Sequence, residues 1–259
     1  MLKSRDDEGQ TWEPIPAGGV HEGNGEAQSA GRTRPEAAPA EAISTGPSGT
    51  AEAPGAFTDR QSERALSGLP IVLAITGASG APYAVRLLEV LAAQRVPVWL
   101  LVSSHGWRLL REECNLGTPE ALQAATGGDW STVTHFPDSD RGARPASGSQ
   151  RTRGMVICPC SMGTVAAIAA GTSRSLVERA ADVTLKERRR LILVPRETPL
   201  SLVHLRNLTA AAEAGATIIP ASPGFYHRPA AVSDLVDFMV QRILDHLDLP
   251  IELSPRWSG

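Results

Sequence analysis

Six short apolar runs between residues 71 and 219 end in small, hydroxylated or charged residues, and most lead into a stretch with helical periodicity. That alternation leaves few folds open. The first run, Ile71–Ile75, enters Thr76-Gly77-Ala78-Ser79-Gly80-Ala81-Pro82, where Pro82 suits a first helical turn and Val85, Leu88, Leu91 and Ala92 form an apolar stripe. The second, 96–102, stops at Ser103-Ser104 before a helical stretch through Trp107, Leu110 and Glu113. A short third run at 132–136 precedes a Pro/Ser/Gly loop at 137–150 that reads as a lid or an oligomer contact. Run 155–157 leads through Cys158-Pro159-Cys160-Ser161-Met162-Gly163-Thr164 to a small-residue helix at 165–170. A helix at 175–188 carries Arg179, Lys186 and Glu187. Run 191–194 has the all-apolar texture of a strand buried on both faces, and it stops at Pro195-Arg196-Glu197, with Pro199 opening a helix over 199–214. The last run is 217–219, followed by a loop at 220–228 with Phe225, Tyr226 and His227. A helix over 231–247 closes the pattern, with Val232, Leu235, Val236, Met239, Ile243 and Leu247 on one side and Arg242 off that stripe. The fold class that follows is α/β: a doubly wound parallel sheet, Rossmann-like or flavodoxin-like, in one domain over residues 69–259.

Residues 1–68 belong to another class of sequence. They are rich in Gly, Ala, Pro, Glu, Ser and Thr, lack apolar periodicity and hold only Trp12 and Phe57 as aromatics, so they are expected to form a disordered, low-complexity extension. They have no apolar core of a secretory signal and more acids than a transit peptide carries. The chain has a net charge of −3 and no basic stripe interleaved with aromatics, which argues against a nucleic-acid partner. No apolar run approaches the roughly 20 residues that cross a membrane. Three cysteines, Cys114, Cys158 and Cys160, suit a reducing cytoplasm. Cys158-Pro159-Cys160 lacks the spacing of a zinc or dithiol site, and no metal is expected.

In open parallel sheets, ligands bind beyond the carboxyl ends of the strands. The glycine-rich turn after residue 75 allows close backbone approach to a phosphate, which the free N–H groups of the next helix can hold. Ser103, the 161–164 segment and the Arg196-Glu197 pair add hydroxyls, a cation and a carboxylate at other strand ends. Blander readings exist for each: Ser79 and Thr164 as helix caps, Arg196 and Glu197 as a solvated ion pair, Tyr226 as an interface aromatic, Lys186 and Arg242 as solvated helix charges. Cys158 and Cys160 read as buried packing residues, and His204 and His227 as structural or surface residues.

Six phrases, in order, resemble the flavin prenyltransferases of the UbiX/Pad1 family: Ile75-Thr76-Gly77-Ala78-Ser79-Gly80; Val156-Ile157-Cys158-Pro159-Cys160-Ser161-Met162-Gly163-Thr164; Leu176-Val177-Glu178-Arg179-Ala180-Ala181-Asp182-Val183; Leu185-Lys186-Glu187-Arg188; Val194-Pro195-Arg196-Glu197; and Pro223-Gly224-Phe225-Tyr226. The resemblance covers residues 69–257. It implies an enzyme that needs no metal, takes reduced FMN as substrate, and moves a dimethylallyl group from dimethylallyl monophosphate to flavin N5 and C6. Its product, prenylated FMN, would serve UbiD-type decarboxylases. It also implies a large homo-oligomer, a dodecamer among the sizes expected, with the flavin at subunit interfaces.

By matching position, Gly77, Ala78, Ser79, Ser103, Ser161, Met162, Gly163, Thr164 and Arg196 would contact FMN. Tyr226 and Arg242 would hold the dimethylallyl phosphate, with Lys186 and Glu197 beside them. Catalytic positions carried over are Glu197, Lys186, Glu113 and Arg179. Lys186, Arg242 and the Tyr226 phenol would stabilise charge on the departing phosphate, and Glu197 would move a proton. Two departures stand out: Ser104, where many relatives carry lysine, and Arg141, in a lid region where some carry an aromatic. Two other readings remain at this point. One is a flavin-dependent decarboxylase, although the early histidine and Asn-containing motif of the cysteine decarboxylases are not found. The other is an FMN carrier without catalysis, which would not need enough cations for a second phosphate.

Overall fold

In the computed structural model, which describes residues 68–254 and 256, six parallel strands form one sheet in the order β3-β2-β1-β4-β5-β6. The strands are β1 (Ile71–Ile75), β2 (Val98–Val102), β3 (Val133–Pro137), β4 (Gly154–Cys160), β5 (Leu191–Pro195) and β6 (Ala216–Ile218). Of the two doubly wound orders left open by the sequence, this is the Rossmann one. Residues 1–67, on which the expectation of a disordered extension falls, lie outside the described residues.

Strand residues alternate between two cores, as the period of two requires. Ile71, Leu73, Ile75, Leu100, Ile192 and Val194 face helices α1 (Ala81–Ala93), α2 (Ser104–Cys114), α3 (Pro119–Ala125) and α7 (Val232–His246). Val72, Ala74, Leu101, Met155, Ile157 and Leu193 face α4 (Met162–Ala169), α5 (Leu176–Lys186) and α6 (Leu202–Glu213). Both faces of the central strands are dry, which is why their sequence is continuously apolar rather than alternating.

Four details differ from the sequence reading. β4 runs to Cys160 rather than stopping at Ile157, because the β4–β5 register shifts between Ile157 and Cys160 and Cys160 pairs with Pro195. The strand thereby tolerates Pro159, which has no N–H to give the ladder. Helix α3 was not anticipated. Thr118 caps it through Ala121 N–H, Pro119 occupies its first turn and Glu120 follows. Helix α6 begins at Leu202 and not at Pro199, because Ser201 is its N-cap and closes a capping box with His204. In α7 the buried side is Met239, Val240, Ile243, Leu244 and Leu247, while Val232 is 75% exposed. A continuous stripe would have required the first turn to reach the sheet, and it does not.

Arg189 and Arg190, just before β5, fasten neighbouring segments. Arg189 donates to the carbonyls of Gly148 and Gln150, at 2.6 and 2.7 Å, which anchors the 147–150 loop. Arg190 donates to the His246 carbonyl and pairs with Asp248 at 2.7 Å, so a cation sits on the negative end of α7.

Candidate active site

The order of the strands reverses between β1 and β4, and a cavity of about 390 Å³ opens beyond their carboxyl ends. Three helices point their N-termini at it, each capped by a serine that lines the cavity. Ser103 accepts from Gly106 N–H at 3.0 Å for α2, Ser161 from Thr164 N–H at 3.2 Å for α4, and Ser175 from Glu178 N–H at 3.4 Å for α5. Asp138 adds to the third cap, its Oδ1 accepting Val177 N–H at 2.9 Å and its carbonyl accepting Leu176 N–H at 2.8 Å. Converging N-termini sum their positive ends, so the cavity favours an anion. The two acids on its wall are occupied: Asp138 with α5, and Glu178 with Arg174 at 2.8 Å.

Thr76 ties the two strand ends together. Its buried hydroxyl donates to the Pro159 carbonyl at 2.9 Å and accepts from Ser161 N–H at 2.9 Å. The loop 77–80 then passes under α2 so closely that a Cβ on Gly77 would lie 2.5 Å from the His105 Cβ. Gly80, at φ +122, offers no side chain to cap α1. Glu113 supplies one from α2: its Oε2 accepts Gly80 N–H at 2.9 Å and Ala81 N–H at 2.8 Å. Its carboxylate thus stands behind the loop and holds it.

Ala78 and Met162 are buried, Gly163 is exposed, and Thr164 Oγ1 lies 2.9 Å from Ser161 Oγ. Arg196 reaches back from the end of β5 to the Ser79 carbonyl with its Nε at 3.4 Å, so it joins the first loop. Glu197 is exposed beside it and accepts Thr198 N–H at 3.1 Å. Tyr226 and Arg242 come together in a separate cavity of about 290 Å³, between α7, the 220–231 loop and the C-terminal tail. Tyr226 packs edge-on to Phe238, with ring centroids 5.7 Å apart. Arg179 pairs with Asp182 at 2.7 Å on α5.

Lys186 is the residue most distant from this grouping. It ends α5, whose first turn lines the switch-point cavity, and 11 residues of helix at about 1.5 Å each carry the chain to the amino-terminal edge of the sheet. There the Lys186 ammonium pairs with Glu187 under Gly148. Within one chain, then, the expected residues are spread over the switch-point cavity and its first loop, a smaller cavity of about 150 Å³ lined by Arg196 and Glu197, the Tyr226–Arg242 cavity, and Arg179 and Lys186 along α5.

Thr76, Asp138 and Ser175 were not anticipated as site residues. Ser175 was readable, since Ser175 and Glu178 have the spacing of a capping box. Thr76 and Asp138 act through partners far along the chain and left no local signal. Cys158 and Cys160 are fully buried packing residues; burial pushes the Cys158 thiol up to about 12 and Cys160 higher still, so neither ionises at neutral pH. His204 is structural, as its capping box shows. Among the described residues no cluster of acids, histidines and cysteines could hold a metal ion, and no helix is long and apolar enough to cross a membrane.

Comparison with known proteins agrees with this geometry. The Flavoprotein family model matches residues 59–244. The flavin prenyltransferase UbiX of Pseudomonas aeruginosa is 47% identical over 195 residues, which is 73% of this chain and 93% of that protein. The crystal structure of AnUbiX (PadA1) in complex with FMN and dimethylallyl pyrophosphate superposes with a TM-score of 0.69 at 40% identity, over 74% of this chain and 98% of that one. A dodecameric FMN-dependent UbiX-like decarboxylase from Escherichia coli O157:H7 gives 0.68 at 38% identity, over 74% and 100%. A sheet of Rossmann order with an anion-seeking cavity at its switch point, matched over nearly the whole length of these relatives, places the chain in the Flavoprotein family, among the UbiX flavin prenyltransferases.

Proposed function

We propose that this enzyme transfers the dimethylallyl group of dimethylallyl monophosphate to N5 and C6 of reduced FMN, and that the prenylated flavin passes to a UbiD-type decarboxylase. The observation that carries the reading is a pair of separate cavities, each bordered by groups that suit an anion. The switch-point cavity, with its three serine-capped N-termini, fits the phosphate and hydroxylated chain of FMN. The glycine at 77 leaves a bare backbone for close approach of a flat ring, and Arg196 borders that loop. A flavin carrier would need no second site. The Tyr226–Arg242 cavity supplies one, with a guanidinium and a phenol suited to a phosphate monoester.

When bound, the reduced flavin supplies the electron pair for the new bond. The chain's own residues have other tasks. Arg242 and Tyr226 would stabilise the charge that the departing phosphate gains as the allylic C–O bond breaks. Glu197 would accept or deliver the proton that the exchange of bonds requires. Lys186, at the far end of α5, cannot join either cavity within one chain, so we assign it, together with Arg179, which pairs with Asp182 on the same helix, to the site of a neighbouring subunit in a homo-oligomer, a dodecamer being the assembly of one structural relative. We further assign the catalytic domain to residues 69–259, apart from the extension, and the protein to a reducing cytoplasm, in keeping with its three free thiols.

The test is release of inorganic phosphate. It should require dimethylallyl monophosphate and reduced FMN together, and Glu197→Gln should abolish it while still binding FMN. Phosphate release without flavin would mean hydrolysis, and wild-type turnover by the Glu197 variant would remove that residue from the proton transfer.

A further inference from the structure

The cavity of Tyr226 and Arg242 has a wall built from the C-terminal tail. Gln241 is 5% exposed on α7, and its amide is engaged on both sides. Its Oε1 accepts Leu253 N–H at 2.6 Å, and its Nε2 donates to the Ile251 carbonyl at 3.0 Å and to Asp245 Oδ1 at 2.9 Å. A buried amide satisfied in this way fixes the course of residues 251–253 over α7. The tail then brings Ser254 and Arg256 to the same cavity.

Asp245, one turn beyond Arg242, takes hold of both arginines. Oδ2 accepts from the Arg242 guanidinium at 3.2 Å and Oδ1 from the Arg256 guanidinium at 2.9 Å. Arg256 Nε also lies 3.4 Å from Glu252, which is 77% exposed at the rim and therefore screened by solvent. On the cavity side a single carboxylate, Asp245, faces both guanidiniums. Each arginine also keeps N–H donors beyond those used here, since a guanidinium carries five. Two forks held by a common carboxylate beside a phenol make a cradle for an oxyanion.

We propose that Arg256 is a further binding residue for the phosphate of the prenyl donor, delivered by the tail that Gln241 pins, and that Asp245 is a positioning residue that holds Arg242 and Arg256 as a pair. The inference rests on the reading of the Tyr226–Arg242 cavity as the donor-phosphate site. Its rival is a purely structural ion pair that fastens the tail to α7.

The experiment is steady-state kinetics of the full-length chain at saturating reduced FMN, with dimethylallyl monophosphate varied and inorganic phosphate as competitor. Arg256→Ala should raise the donor KM about tenfold or more, the loss expected for a charge-assisted hydrogen bond, and weaken phosphate inhibition by the same factor. FMN affinity should not change, and Arg256→Lys should recover part of the loss. Asp245→Asn should also raise KM, because the pair loses its common anchor. A fall in KM on removing that negative charge would overturn the positioning role. If Arg242→Ala and Tyr226→Phe raise KM while Arg256→Ala does not, the tail is only structural and the proposal fails. If none of the three raises KM, the donor phosphate lies elsewhere, and the underlying reading fails with it.

Discussion

Replacing Glu113 with alanine should loosen the 77–80 loop and cost measurable stability. Helix α1 starts at Gly80, which has no side chain, and its first turn contains no acid. The acceptor at that end is the Glu113 carboxylate, which takes two N–H groups, at 2.9 and 2.8 Å. Loss of an N-cap costs about 1 kcal/mol, and loss of a negative charge at a helix N-terminus costs about 0.3–1 kcal/mol more. Glu113 is exposed, so water can replace part of what is lost, and the sum is about 1–2 kcal/mol. For a domain of this size that corresponds to a fall in Tm of about 3–6 °C. The assay is thermal and urea unfolding at fixed protomer concentration, because assembly makes the midpoint concentration-dependent. FMN affinity should fall in parallel, since residues 77–80 hang from the same carboxylate. Glu113→Gln keeps an acceptor oxygen and should lose about half as much. An alanine variant that unfolds within about 0.5 kcal/mol of wild type would refute the capping argument. Loss of turnover in Glu113→Gln with stability and FMN affinity intact would instead assign the carboxylate a direct role in proton transfer.

Three further outcomes follow from the same geometry. Gly106→Ala would place a methyl 2.4 Å from the Ile75 carbonyl oxygen, and should cost about 2–3 kcal/mol or more while displacing Ser103; unfolding and FMN titration would measure both losses. Burial holds the His135 imidazole, edge-on to Trp107, below its ordinary value of 6.5, with Glu120 opposing the shift weakly. As the folded pKa is depressed, the unfolded chain takes up the proton first: this contribution to stability is complete above pH 6.5 and is lost as pH falls through the folded pKa. Melting between pH 7.5 and 5.5 should therefore show a smaller acid loss for His135→Gln than for wild type, and equal losses would exclude the effect. Finally, Lys186→Ala and Arg242→Ala chains should each be nearly inactive alone, yet regain activity when co-assembled. Failure of mixed oligomers to recover would place both residues in one subunit's site.

How much of this was legible in the sequence depended on how local the cause was. The strands at 71–75 and 191–195 declared themselves, because a run buried on both faces must be apolar throughout. The first loop was readable from a strand end followed at once by a helix, but the caps are Ser103 and Ser161, whereas the sequence offered Ser79 and Thr164 for that role. The extension of β4 through Pro159 was not, since it depends on a register shift against β5. Helix α3 had its signal in Thr118-Pro119-Glu120, which went unread because the helix is only seven residues long. The site was harder. The role of Thr76 depends on the Pro159 carbonyl, 83 residues away, and that of Asp138 on α5. Lys186 resembled its family counterpart by position, but a resemblance in sequence does not say that an 11-residue helix carries it to the other edge of the sheet. Arg256 lies in a tail whose course is set by one buried glutamine.

Transfer of a prenyl group to flavin is decided by mass analysis. Purified protein is incubated without oxygen with reduced FMN and dimethylallyl monophosphate, and the flavin is then released and weighed. The expected product is a flavin heavier by one isoprenyl unit, formed with release of one phosphate. Unmodified FMN, recovered from protein shown to bind it tightly, would contradict the claim and leave a flavin carrier in its place.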